Sequence, residues 1–370
     1  MEMRERTTMS ETAKGGLLPD FGSFWLVLAR AIPVKPQNSS ETAAAWSVFR
    51  LNWLVLAGLW MTFGLCLLLT DFRVRSQGYI ALLCVTLVYG CIGYAKAHSG
   101  ARAKPWLFSF LTGLAQTVLA FSVLASLSYI VTAAGLPLQD ANLLAIDQSL
   151  GFDFRHYLSF VNDRPWLITV LGFGYRSIAW SIVVIVVALP LLGHCRRIAE
   201  FNLAISLTAA LTCCMTLIVP AVGVYYALGL TPSDYPNLLP QAYYDTARDM
   251  PLVRDGTLRL LDISQLVGIV TFPSFHAAAV VLYGWALWPL RWLRPFNVIL
   301  NGTMLLSTPV GGGHFLIDII AGIVIALVSI LVARFVAQRA DTLKALDQRP
   351  AEGCSAFLKT LRGFHQHQRA

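Results

Sequence analysis

The chain has 370 residues, 56% of them hydrophobic and only 13% charged, against the quarter or so that is charged in a soluble protein. Apolar runs of about 17 to 25 residues, each long enough to cross a bilayer as a helix, recur along it. This excludes a soluble globular enzyme, a disordered chain and a disulfide scaffold, and the lack of short alternating strands excludes an outer-membrane barrel. The net charge of +8 lies in short loops and at the termini. It does not form the basic, aromatic-studded face that nucleic acid requires, so no nucleic-acid partner is expected.

In chain order, residues 1–44 read as a polar tail without the apolar core and small-residue cleavage site of a signal peptide. Its apolar stretch from Phe21 to Ala31 is too short to span and is expected to lie at the interface. Eight spans follow, at roughly 45–70, 78–96, 106–134, 166–192, 200–229, 267–290, 295–310 and 314–337, and a polar tail occupies 338–370. The expected fold is thus an all-α polytopic membrane bundle.

With the N-terminus inside, alternate segments hold 19 Lys and Arg inside, counting Lys96 and Arg334 at the inner ends of their spans, and 7 outside. Arg50 and Arg176, placed within spans, complete the 28 of the sequence. That asymmetry predicts both termini in the cytoplasm. The seven cysteines (Cys66, Cys84, Cys91, Cys195, Cys213, Cys214 and Cys354) lack metal-finger spacing, and most sit in apolar runs as small core hydrophobes. The absence of an organelle address and the short loops point to a bacterial inner membrane.

Two segments place polar chemistry at span ends predicted to share the outer face. The first is Thr271-Phe272-Pro273-Ser274-Phe275-His276. Pro followed by Ser is a helix-start signal, and a helix start offers free N–H groups and the positive end of the dipole to an anion. The second is Ser307-Thr308-Pro309-Val310 followed by Gly311-Gly312-Gly313-His314 and, four residues on, Asp318. The glycines permit a tight turn and close backbone approach. His314 and Asp318 share a helix face, where a carboxylate can hold one imidazole nitrogen and leave the other as nucleophile or base. An ionisable pair there is expensive unless it is used. The blander readings are interfacial histidines, a plain inter-span turn, or a metal site for which further ligands are not evident.

These residues resemble the type-2 phosphatidic acid phosphatase superfamily of membrane lipid phosphatases and phosphotransferases. Pro273-Ser274-Phe275-His276 is similar to its Pro-Ser-x-His motif, and His314 with Asp318 to its third motif. Within the superfamily the chain most resembles the inositol phosphorylceramide synthase (inositolphosphotransferase) branch. That branch has a bulky residue before the second-motif histidine and Ser-Thr, here Ser307-Thr308, where phosphatases read Ser-Arg. The similar stretch runs from roughly 140 to 335.

The resemblance implies a six-helix phosphatase-like core within four regions. These are a cytoplasmic tail over 1–44, two N-terminal transmembrane helices over 45–105, a catalytic membrane domain over 106–337 and a cytoplasmic tail over 338–370. It makes His314 the nucleophile that becomes a phosphohistidine, Asp318 its orienting partner, and His276 the general acid and then base. Ser274 and the backbone N–H groups of Phe275 and Gly313 would hold phosphoryl oxygens. No metal and no cofactor are implied.

The first motif departs from the pattern, with Tyr157 where Lys is expected seven residues before Arg164-Pro165, and Arg155 as the nearest basic residue. Arg164 reads equally as phosphate ligand or interfacial anchor. Arg176 stands as a replacement for the Arg missing at Thr308 or as the partner of a buried acid. The substrate expected is a phospholipid or lipid phosphate in the bilayer, with water or a lipid hydroxyl as acceptor, at the outer face. A polyprenyl diphosphate or phosphatidic acid phosphatase is the alternative, and a non-enzymatic lipid transporter stands outside the enzyme class.

Overall fold

The computed structural model describes residues 39–97 and 104–339. The Phe21–Ala31 stretch and nearly all of both expected tails lie outside the described residues. In chain order the elements are α1 (Ser39–Leu69), β1 (Arg73–Val74), α2 (Ser76–Ala97), α3 (Pro105–Thr132), α4 (Asp140–Ser149) and α5 (Phe154–Asn162). Then come α6 (Pro165–Leu191), α7 (Cys195–Ile218), α8 (Val224–Ala227), α9 (Gln241–Arg254), β2 (Leu260–Leu261), α10 (Phe275–Leu287), α11 (Arg294–Gly311) and α12 (Leu316–Arg339).

Among the described residues six helices are long and apolar enough to cross a membrane, namely α1, α2, α3, α6, α7 and α12. The chain is an integral membrane protein with an all-α bundle. The sixth expected span is shorter than drawn, and the seventh, α11, is as long as drawn but is not among the six. The apolar run from Val267 continues to Phe272 as loop, and helix α10 starts only at Phe275, where Ser274 caps it. Helix α11 carries the buried Asn297 and Asn301 in its apolar register, with Asn301 Nδ2 donating to the Asn297 side-chain oxygen at 2.6 Å. The fifth expected span ends early, because Pro220 follows the last turn of α7 and the chain leaves the helix at Val219.

Helix α3 is the most buried of the six and packs against α1, α2, α6 and α7. In a bilayer apolar contact alone does not draw helices together, so small and polar residues at the seams supply specificity. Here Asn52 of α1 donates to the Gln116 side chain at 2.8 Å, and Gln116 donates to the Phe49 carbonyl at 2.8 Å. On the other side Thr117 donates to Asn202 of α7 at 2.7 Å, and Asn202 donates to the Gly113 carbonyl at 3.2 Å. Such contacts average about 0.6 kcal/mol each, so their larger effect is to fix rotation and register.

Most of the connections gather at one end of the bundle. Arg73 and Val74 pair in parallel with Leu260 and Leu261, and Arg259 bonds Asp71 at 2.8 Å. Asn237 donates to the Asn162 carbonyl at 3.1 Å, and the Gln139 N–H donates to the Pro220 carbonyl at 2.9 Å. Helix α9 is tied down there by Tyr129, whose hydroxyl donates to Asp249 at 2.6 Å. Burial works against ionising Asp249, but the Arg248 and Tyr129 hydrogen bonds outweigh it and hold the carboxyl below the usual Asp range.

Candidate active site

Both histidine segments lie at this crowded end, on helix starts that dock against each other. Ser274 is extended and caps α10, its Oγ accepting the Ala277 N–H at 3.3 Å. Its own N–H donates to the Asp318 carbonyl at 3.0 Å. Gly322, one turn further along α12, lets the backbones meet, since a Cβ there would collide with the Ser274 carbonyl oxygen. The α10 start is therefore seated on the first turns of α12.

His314 is buried, and its Nδ1 lies 3.0 Å from the Thr271 carbonyl oxygen and 3.5 Å from Asp318 Oδ2. A carbonyl only accepts, so Nδ1 carries the proton and Nε2 presents its lone pair. Asp318 thus shares with a backbone carbonyl the holding of the ring that the sequence assigned to it alone. Its Oδ2 also accepts the Phe315 N–H at 2.9 Å, the third-position carboxylate reaching back to the N-cap as in a capping box. Asp318 Oδ1 is buried without a partner among the described residues.

His276 sits in the first turn of α10, its ring centroid 6.4 Å from that of His314. Its Nε2 is buried and has no hydrogen-bond partner among the described residues. The His276 ring lies on the Tyr175 ring, centroids 4.0 Å apart and planes 17° from parallel. Tyr175 comes from the middle of α6 and also reaches the glycine turn. A Cβ on Gly311 would meet its ring at 2.6 Å, and a Cβ on Gly312 would stand 2.8 Å from both the Tyr175 hydroxyl and His314 Nε2. The tyrosine hydroxyl and the free imidazole nitrogen therefore border one small space. Gly313 has φ +65° and takes the left-handed turn into His314.

These groups open into a cavity of about 330 Å³. Phe121 and Leu124 of α3 with Ile178 and Ile182 of α6 form its apolar walls, Val267 and Gly268 belong to the loop before α10, and Ala242 and Thr246 of α9 border it as well. None of the described residues lining it is Lys, Arg, Asp or Glu.

The structure brings together His314, His276, Asp318, Ser274, Phe275 and Gly313. It does not bring Arg164 or Arg176 to them. Arg164 donates to the Phe160 carbonyl at 2.7 Å and lies over the Phe160 ring, anchored to its own helix entry. Arg176 is exposed on α6 and is not among the residues that line the cavity. Tyr157, at the place where the resemblance called for Lys, donates to the Leu306 carbonyl at 2.6 Å, and Arg155 donates to the Leu228 carbonyl at 3.0 Å. Thr308 is fully buried with its hydroxyl on the Leu305 carbonyl. Ser274 is also fully buried and serves as a cap.

Sequence reasoning missed Tyr175, the Thr271 carbonyl and the α4 carboxylates described below. A tyrosine beside an arginine within an apolar span was the one visible sign of the first.

Residues 141–332, just over half of the chain, match the family model described as PAP2 superfamily. No curated protein and no solved structure matches the chain.

Proposed function

The chain belongs to the PAP2 superfamily of phosphatases and phosphotransferases, and on that premise we propose that it is a lipid phosphotransferase of the inositolphosphotransferase type working at the outer membrane face. The observation that carries this reading is the pair of imidazole edges at one cavity. His314 is fixed through Nδ1 with its Nε2 lone pair free, and His276 Nε2 is without a partner among the described residues.

In the proposed reaction His314 Nε2 attacks the phosphorus of a lipid phosphodiester. The P–O bond to the glycerolipid oxygen breaks, and His276 gives that oxygen a proton. The head-group phosphoryl then rests on His314 as a phosphohistidine. The hydroxyl of a second lipid gives its proton back to His276 and attacks the same phosphorus, which frees His314. The Phe275 and His276 N–H groups, which take no acceptor among the described residues, face the charge that develops on the phosphoryl oxygens.

The choice of a diester rests on charge. With no cation among the described lining residues, the positive field comes from backbone dipoles. A phosphodiester carries one negative charge, whereas a phosphomonoester carries about −1.5 to −2 at neutral pH. The apolar walls suit a lipid tail.

The test compares wild type with His314→Ala in micelles holding phosphatidylinositol, phosphatidic acid, and ceramide or diacylglycerol, following free phosphate and new lipids separately. The expected result is a new phospholipid and an acid-labile phosphoprotein from wild type, both reduced at least about a thousand-fold in the variant. Phosphate release from phosphatidic acid alone, equally dependent on His314, would replace the transferase with a phosphatase. No turnover of any lipid in the panel would end the enzymatic reading.

A further inference from the structure

Helix α4 lines no part of the cavity, yet it presents Asp140, Leu143 and Asp147 as one buried stripe with i, i+3, i+7 spacing. Burial pushes both carboxyls above the usual Asp range, while hydrogen bonds from backbone N–H groups pull the other way. What those N–H groups belong to is the informative part.

Asp147 is fully buried and uses both oxygens on the start of α12, accepting the Leu316 N–H at 2.6 Å and the Ile317 N–H at 2.9 Å. These residues follow His314 directly after Phe315. Asp140 accepts the Gly223 N–H at 2.8 Å and the Val222 N–H at 3.0 Å. From that loop two paths lead to the same histidine. The Val224 N–H donates to the Gly313 carbonyl at 2.7 Å, fixing the residue before His314. The Val222 carbonyl accepts the Thr271 hydroxyl at 3.2 Å, and the Thr271 carbonyl holds His314 Nδ1.

From this convergence we infer that α4 is a positioning clamp, with Asp147 fixing the backbone just after His314 and Asp140 fixing the backbone before it and the carbonyl that holds its ring. The inference rests on His314 being the nucleophile. Neither aspartate borders the cavity, so neither is a catalytic residue. Each acts through the backbone that aims Nε2. A shift of about 1 Å at a reacting group can cost about a hundred-fold in rate, and removing one carboxylate frees two N–H groups at a time.

The experiment uses the full-length protein in micelles as wild type, Asp147→Asn, Asp140→Asn and Leu316→Pro. The last removes one donor that Asp147 binds, at a first helical position where proline is tolerated. Three quantities are read: thermal midpoint, hydrogen exchange of the segment 308–320, and kcat and KM on whichever lipid phosphate the wild type turns over.

Expected for each variant is faster exchange in 308–320, kcat down about 10- to 100-fold and KM within about two-fold. Asp147→Asn combined with Leu316→Pro should lose less than the product of the two single losses, because both act through one contact. Unchanged kcat, or a rise in KM with kcat retained, overturns the clamp. If Asp147→Asn does not fold, Leu316→Pro and Asp140→Asn decide by the same criteria. If the wild type turns over no lipid phosphate, the functional reading fails, and exchange then decides the clamp by itself. Faster exchange upholds it and unchanged exchange overturns it.

Discussion

The starts of α10 and α12 lie against each other, and the difference between them shows how the site divides its work. Any helix start leaves N–H groups without intrahelical partners and carries a partial positive charge. At α12 that capacity is spent internally: Asp318 takes the Phe315 N–H, and Asp147 takes those of Leu316 and Ile317. At α10 the Ser274 hydroxyl takes only the Ala277 N–H, and those of Phe275 and His276 remain without acceptors among the described residues. On the proposed reading, α12 holds His314, the proposed nucleophile, still, and α10 receives the anion.

The largest effect that can break this comparison is at the open start. Phe275 is the first helical residue of α10, and Ser274 before it is extended at ψ 111°, the conformation that a following proline requires. Phe275→Pro therefore removes one N–H while leaving the helix intact. It also removes a ring that meets Phe121 edge-on at 5.6 Å, so Phe275→Ala is the control. If this N–H stabilises the phosphoryl oxygens, kcat of the proline variant should fall about 100-fold below that of the alanine variant, the usual cost of one such donor. Equal rates for the two would remove α10 as the anion site.

A smaller effect is expected at Tyr175, which joins the two starts by stacking on His276 and bordering His314 Nε2 across Gly312. Tyr175→Phe keeps the ring and loses the hydroxyl, and Tyr175→Leu loses both. Aromatic stacking is worth about 0.5–1.5 kcal/mol beyond area. The leucine variant should therefore lose about ten-fold in kcat through a mobile His276. A phenylalanine variant as impaired as the leucine one would move the importance from the ring to the hydroxyl. Steady-state rates with thermal midpoints on the three proteins separate these outcomes.

How much of this was legible in the sequence depended on the range of the interaction. His276, His314 and Asp318 could be found because their partners in the motif are four residues away or fewer, and the helix turns that pattern into geometry. The bundle was legible because apolar length is a local property, but eight spans were drawn where six described helices are long and apolar enough to cross. The stretch from Val267 to Phe272 was misread as part of a span for the same reason, since apolar composition does not distinguish a helix from a loop lining an apolar cavity. Pro273 and Ser274 carried the correct boundary. Asp147 was out of reach: it meets Leu316 across 169 residues, and nothing local marks an aspartate in an amphipathic connector as the cap of a distant helix. The Thr271 carbonyl that fixes the His314 tautomer is backbone, which leaves no trace in residue identity.

The smallest expected effect is at the arginines, and it sharpens the comparison by its size. If positive charge from side chains were needed at the open start of α10, Arg164 and Arg176 would be the residues to supply it. Yet Arg164 is held on the Phe160 carbonyl and ring, and Arg176 is exposed outside the cavity. Exposed substitutions away from such contacts usually stay within about 0.5 kcal/mol, so Arg176→Ala should keep kcat/KM within about two-fold, and Arg164→Ala, whose contacts lie outside the cavity, should change the thermal midpoint rather than kcat/KM. A much larger loss, with an unchanged thermal midpoint, would mean that substrate draws an arginine to the phosphate. Backbone dipoles would then no longer favour a singly charged diester, because a site with a guanidinium on the phosphate suits a phosphomonoester as well.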